Sequence, residues 1–133
     1  MSAISPKNIA PPLLPGLSLP KLRDQVRRLE RAHSAQRAGR RAVAINPQDA
    51  WAVHAVAHVL EMQDRTDEGI AWLDRYIPGL SVCNNFRFHT TWHRCLFYLE
   101  KGAGSRVLEL YDREVRAEST PEYLDICNAT SLL

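Results

Sequence analysis

His54, His58 and Glu61 stand at i, i+4 and i+7 in the run AVHAVAHVLE, residues 52–61. His89, Trp92 and His93 stand at i, i+3 and i+4 in FHTTWHRCLF, residues 88–97. On a helix each set shares one face. Both histidine steps, His54 to His89 and His58 to His93, span 35 residues. Residues of these types support three kinds of chemistry. Histidines one turn apart chelate metal, and Zn²⁺ takes three or four N, S or O ligands. His54, His58, His89 and His93 are the residues that would supply them. The glutamate follows the second histidine, so this is not HExxH, and the expectation is that no metal or other cofactor is bound. Imidazoles also shuttle protons near neutral pH, with Glu61 orienting one of them. A row of histidines beside Trp51 can also line a groove that binds a peptide. Cys95 falls on another face, two residues past His93, and no nucleophile motif surrounds it.

The elements that must position these residues read as helices. Sustained strand alternation bounded by hairpin turns is missing. Leu22, Val26 and Leu29 step at helical spacing, which predicts a helix over about 21–45, broken near Gly39. Pro47 ends that helix at Asn46, and Asn46 or Asp49 caps the next. Further helices are expected at about 48–63, 67–76, 85–101 and 104–117, with a last short one near Pro121. IPGLSVCNN, with Pro78 and Gly79, is a loop, and Gly102 suits a left-handed C-terminal cap. Within the first hairpin Val53, Val56, Ala57 and Leu60 form the packing stripe, distinct from the polar one.

Composition narrows the classes. A chain of 133 residues with 45% hydrophobic content builds one modest core. Five of its eight prolines fall in residues 1–20, which are expected to form a flexible head before a helical domain over 21–133. Residues 1–41 carry nine Lys/Arg against two Asp/Glu, net +7; the remainder carries eight against thirteen, net −5. That basic stretch reads as a solvated helix rather than a nucleic-acid arm, since no aromatics interleave with its arginines. His33 there reads as surface. The lack of a long apolar run argues against a membrane span, and no signal-peptide pattern is seen. Cys83, Cys95 and Cys127, without a CxxC, read as free thiols in a reducing, cytoplasmic setting.

Helix–turn–helix pairs recurring at about 35 residues mark a helical solenoid. INPQDAWAVHAVAHVLEMQDRTDEGIAWLDR resembles the tetratricopeptide repeat: Ala57 is its small residue in mid helix A, Gly69 its small residue early in helix B, and Leu73 the bulky one that follows. Asp64 replaces the usual turn glycine, and Tyr76 sits where a small residue is usual. DAWAVHAVAHVLEMQDRTDEGIAWL, NNFRFHTTWHRCLFYLEKG, VLELYDREV and YLDICNATSLL, in that order, resemble the tetratricopeptide repeat protein 38 family over about residues 40–133. Residues 1–35 lack the likeness. Family chains are longer, so a slice, short paralogue or truncated frame is implied. The resemblance brings no established reaction with it.

The expected fold is therefore all-α, with about one and a half to two and a half tetratricopeptide-like hairpins. The resemblance puts helix A of each hairpin on the concave surface. The expected function is interaction with a protein or peptide through a groove lined by Trp51, His54, His58, Glu61, His89, Trp92 and His93. The alternative is an enzyme or metal-binding protein using the four histidines. ICNATSLL ends apolar, and this end is expected to pack on a partner, another copy or further sequence.

Overall fold

The computed structural model of the protein describes residues 18–83 and 86–133. Residues 1–17 of the expected head, and Asn84 and Asn85 of the expected loop, lie outside the described residues. The described chain is helical, with no strand among these residues. Its elements are α1 (Leu19–Ile45), α2 (Ala50–Met62), α3 (Thr66–Tyr76), a 3-10 stretch (Ile77–Val82), α4 (Phe86–Glu100), α5 (Gly104–Leu110) and α6 (Tyr123–Ser131). None of the described helices is long and apolar enough to cross a membrane.

The chain divides into two compact units, one ending at Arg31 and the other spanning Ala32–Leu133. In the first, the expected apolar stripe is not buried: Val26 and Leu29 are exposed. Arg28 pairs with Asp24 one turn away.

In the second unit, Asp49 caps α2 by accepting the Ala52 amide at 3.0 Å. Asn46 instead folds the preceding turn, its side chain accepting the Gln48 amide. The expected break at Gly39 does not occur. A Cβ at Gly39 would meet Val56 Cγ2 at 2.7 Å and the Ala52 carbonyl at 3.2 Å, so this glycine allows α1 to approach α2. Val53, Val56, Ala57 and Leu60 of α2 are fully buried, with Leu73, Leu80 and Phe97 in the same core. Trp72 is buried there too, and its indole donates to the Val53 carbonyl at 3.0 Å.

α4 packs against α2, α3, α5 and α6. A Cβ on Gly69 of α3 would come within 2.3 Å of the Phe97 ring, so α3 crosses α4 where only a hydrogen fits. On another face Cys95 joins Val107, Leu110 and Val115 in a second apolar cluster. Burial pushes its thiol up to about 11, which makes Cys95 a core residue rather than a nucleophile. Arg94, 6% exposed, reaches Asp74 at 3.0 Å and also bonds Glu114. α4 ends at Gly102, whose φ of 69° is the left-handed conformation expected of a cap. The helix expected over 104–117 is α-helical only to Leu110. It continues as a π-helical turn, Tyr111–Val115, with the Arg116 amide bonded to the Tyr111 carbonyl.

Candidate metal centre

α2 presents His54, His58 and Glu61 on one face because its apolar stripe is committed to the core. α4 presents His89, Trp92 and His93 toward it. One ligand atom from each of the four histidines lies within 4.8 Å of all the others. His54 Nε2 is 2.9 Å from His89 Nε2 and 3.0 Å from His58 Nε2. The rings of His58 and His93 have centroids 4.4 Å apart. The cluster runs from exposed His58, through half-buried His54 and His89, to His93, which is 1% exposed.

Two of the rings are held from behind. His93 Nδ1 lies 3.2 Å from Glu61 Oε2, and His89 Nδ1 lies 3.3 Å from Asn128 Oδ1. Both partners are acceptors, so each Nδ1 carries the ring hydrogen and each Nε2 is a lone pair. His93 Nε2 is buried and has no hydrogen-bond partner. A neutral imidazole has one hydrogen. With His89 Nε2 a lone pair, the short contact with His54 is attractive only if His54 Nε2 carries its hydrogen. That hydrogen also faces His58 Nε2, which must then be a lone pair as well. In the bare cluster, three lone pairs and one N–H therefore converge.

Protonating His54, His89 or His93 to relieve this crowding is disfavoured in the folded protein. Burial, then the charges His58 and His89 would carry, lower the His54 pKa to about 4. Burial, then the charges of His58, His89 and His54, lower that of His93 to about 2. His89 is also lowered by burial, against the bond from Asn128. Glu61 is raised, chiefly by burial, with His58 opposing and Glu100 adding to it. Four imidazole nitrogens so placed can hold a metal cation. In a tetrahedron with metal–nitrogen bonds of about 2.0–2.1 Å, neighbouring nitrogens are about 3.3 Å apart. The observed separations bracket that edge, and moving the His54 hydrogen to Nδ1 frees the fourth lone pair.

The other expected lining residues surround this group. Trp51 is exposed, lies edge-on to His54 at 6.1 Å and packs on Phe86 at 4.3 Å. Trp92 stacks on His89 at 5.4 Å and donates its indole hydrogen to Ser131 at 2.8 Å. Glu61 and the four histidines thus meet at one place, with Trp51 and Trp92 at its edges. Phe86, Asn128 and Ser131 were not foreseen. Phe86 begins α4, and its helical spacing to His89 was a usable signal. Asn128 and Ser131 come from α6, and nothing in their local sequence points to the histidines. No family model matches the chain, and no solved structure matches it.

Proposed function

We propose that His54, His58, His89 and His93 bind one divalent transition-metal ion, with Glu61 orienting His93 from outside the ligand set. The observation that carries this is the meeting of four imidazole nitrogens within 4.8 Å, two of them held by acceptors on the far side of the ring. This departs from the expectation of a metal-free groove. Separate helix-to-helix hydrogen bonds would spread the histidines and give each its own partner. Here His89 and His93 do bond Asn128 and Glu61 through Nδ1, but the other ring nitrogens face each other and the buried His93 Nε2 has no partner.

An all-imidazole ligand set suits zinc, copper, iron or nickel and disfavours magnesium or calcium, which want oxygen. Zn²⁺ is the first choice because it imposes no d-electron geometry on a tetrahedral cage. Four neutral ligands leave its charge of +2 uncancelled, and Glu61 behind His93 offsets part of it. The test is elemental analysis of protein purified without a histidine tag, with a chelator-competition titration. One equivalent of metal, lost in His58→Ala/His93→Ala, supports the reading. No stoichiometric metal in the wild type rejects it.

The finer fold reading is that α2–α3 and α4–α5 are tetratricopeptide-like hairpins of a short solenoid resembling the tetratricopeptide repeat protein 38 family. The 35-residue offset that pairs His54 with His89, and the close α3–α4 crossing at Gly69, support it. An experimental structure in which α2–α3 fails to superpose on α4–α5 at that offset would remove it. Peptide binding beside the histidines, at Trp51, has its own support. Exposed Trp51 borders a cavity of about 430 Å³ shared with Asp49, Cys83 and Phe86. Titrating a peptide library against wild type and Trp51→Ala, with indistinguishable binding profiles, would reject it.

A further inference from the structure

Asn128 is on α6, 39 residues from His89, and is 5% exposed. Its Oδ1 meets His89 Nδ1, while its Nδ2 is buried without a hydrogen-bond partner. A buried amide that uses only its acceptor is doing what a carboxylate would do at the same place. Three residues on, Ser131 accepts the Trp92 indole hydrogen and donates to the Asn128 carbonyl at 2.8 Å. α6 therefore meets α4 at one metal-ligand candidate and at the aromatic ring stacked on it.

Resting on the metal-centre reading, we propose that Asn128 is a positioning residue: by accepting the His89 Nδ1 hydrogen it turns the Nε2 lone pair toward the metal and makes α6 part of the site. The two neutral tautomers of a free imidazole interconvert readily. The wrong one points a hydrogen at the ion and cannot bind it. The Asn128 acceptor selects the right one before metal arrives. A metal on Nε2 withdraws charge from the ring and makes Nδ1–H a stronger donor, which tightens the bond to Asn128. The coupling is reciprocal: whatever factor α6 docking adds to metal affinity, the metal adds to α6 docking. Glu61 does the same for His93 from within α2. Asn128 is the partner that ties a separate helix to the centre.

The experiment compares Zn²⁺ affinity, by competition with a chromophoric chelator, in the wild type, Asn128→Ala, Asn128→Asp and Ser131→Ala. Nitrogen NMR of the metal-free proteins reads the His89 tautomer. Hydrogen exchange of the α6 amides is followed with and without Zn²⁺. Asn128→Ala is expected to weaken Zn²⁺ by about 10–100-fold, shift His89 away from the Nδ1–H tautomer and abolish the Zn²⁺-dependent protection of α6. Asn128→Asp is expected to bind at least as tightly as the wild type, because Nδ2 donates no hydrogen bond that the change would remove. Ser131→Ala removes the Trp92 bond but keeps the Asn128–His89 bond, so its affinity is expected to fall much less than that of Asn128→Ala. Wild-type affinity and tautomer in Asn128→Ala would overturn the proposal, as would an equal loss in Ser131→Ala, which would make α6 a mere cover. Where Asn128→Ala fails to fold by circular dichroism, Asn128→Asp decides: weaker Zn²⁺ binding overturns the proposal. A wild type that binds no Zn²⁺ rejects the metal centre itself, and the His89 tautomer then still reports whether Asn128 orients the ring.

Discussion

His58 and His93 face each other with ring centroids 4.4 Å apart, yet the first is exposed and the second is 1% exposed. The cluster thus joins solvent to the interior, and its members contribute differently to folding. His93 keeps a buried lone pair without a partner, a defect worth about 1–3 kcal/mol. His93→Leu removes it at similar size and leaves part-exposed Glu61 free to hydrate. The expected outcome is a metal-free protein at least as stable as wild type in urea, with metal binding lost. His58→Ala loses metal binding with metal-free stability within about 0.5 kcal/mol of wild type. A large destabilisation by His93→Leu would mean the ring is a packing residue.

Acid should unfold the metal-free protein earlier than its carboxylates alone require. The folded pKa values of His54, about 4, and His93, about 2, lie below the unfolded value near 6.5. Below 6.5 the unfolded chain takes up protons that the folded chain refuses. The stability from these groups is complete above pH 6.5 and declines as pH falls toward 4 for His54 and on toward 2 for His93. Urea midpoints should fall from pH 7 to 5, and fall less in His93→Leu. A flat profile over that window, equal in both proteins, would contradict the burial of His93.

Gly69→Ala should destabilise the fold despite alanine's better helix propensity. The added carbon would stand 2.3–2.6 Å from three carbons of the fully buried Phe97 ring. Overpacking of this kind costs about 1–3 kcal/mol, more than the gain of up to about 1 kcal/mol from propensity. Thermal unfolding reads the net sign. Gly69→Ala/Phe97→Leu should recover much of the loss.

The buried cation of α4 makes an asymmetric prediction. Asp74 and Glu114 are nearly half exposed as side chains, whereas the Arg94 side chain is 8% exposed. Removing both acids strands the guanidinium, and breaking a buried pair in this way costs about 3–5 kcal/mol. Removing the arginine leaves two carboxylates that water can reach. Arg94→Met should therefore cost less than Asp74→Asn/Glu114→Gln. The reverse order in denaturant titrations would show that the bridge matters for attraction rather than for compensation.

Much of this was legible in the sequence. The i, i+4, i+7 face of α2 and its separation from the Val53–Leu60 packing stripe follow from helical periodicity. The 35-residue echo allowed all four imidazoles to share one groove without requiring it. The depth of each histidine did not follow, because His58 and His93 have equivalent spacing. Their difference arises from α4 being packed on more sides than α2, a property of neighbours rather than of the local pattern. Asn128 was invisible for the same reason: its link to His89 spans 39 residues with no periodic signal. Gly39 misled because a glycine that permits helix contact reads, in sequence, like one that breaks a helix.

Asp64 joins α2 to α3 with a φ of 54°, the backbone conformation that Gly102 adopts after α4. A side chain there carries roughly 1 kcal/mol of strain that a glycine would not. The first hairpin is therefore held slightly under tension at an exposed side chain whose turn bonds back to the Leu60 and Glu61 carbonyls. Asp64→Gly offers an engineering handle: it can raise the tolerance of the fold to changes among the histidines while leaving every ligand, and the helix that carries Asn128, untouched.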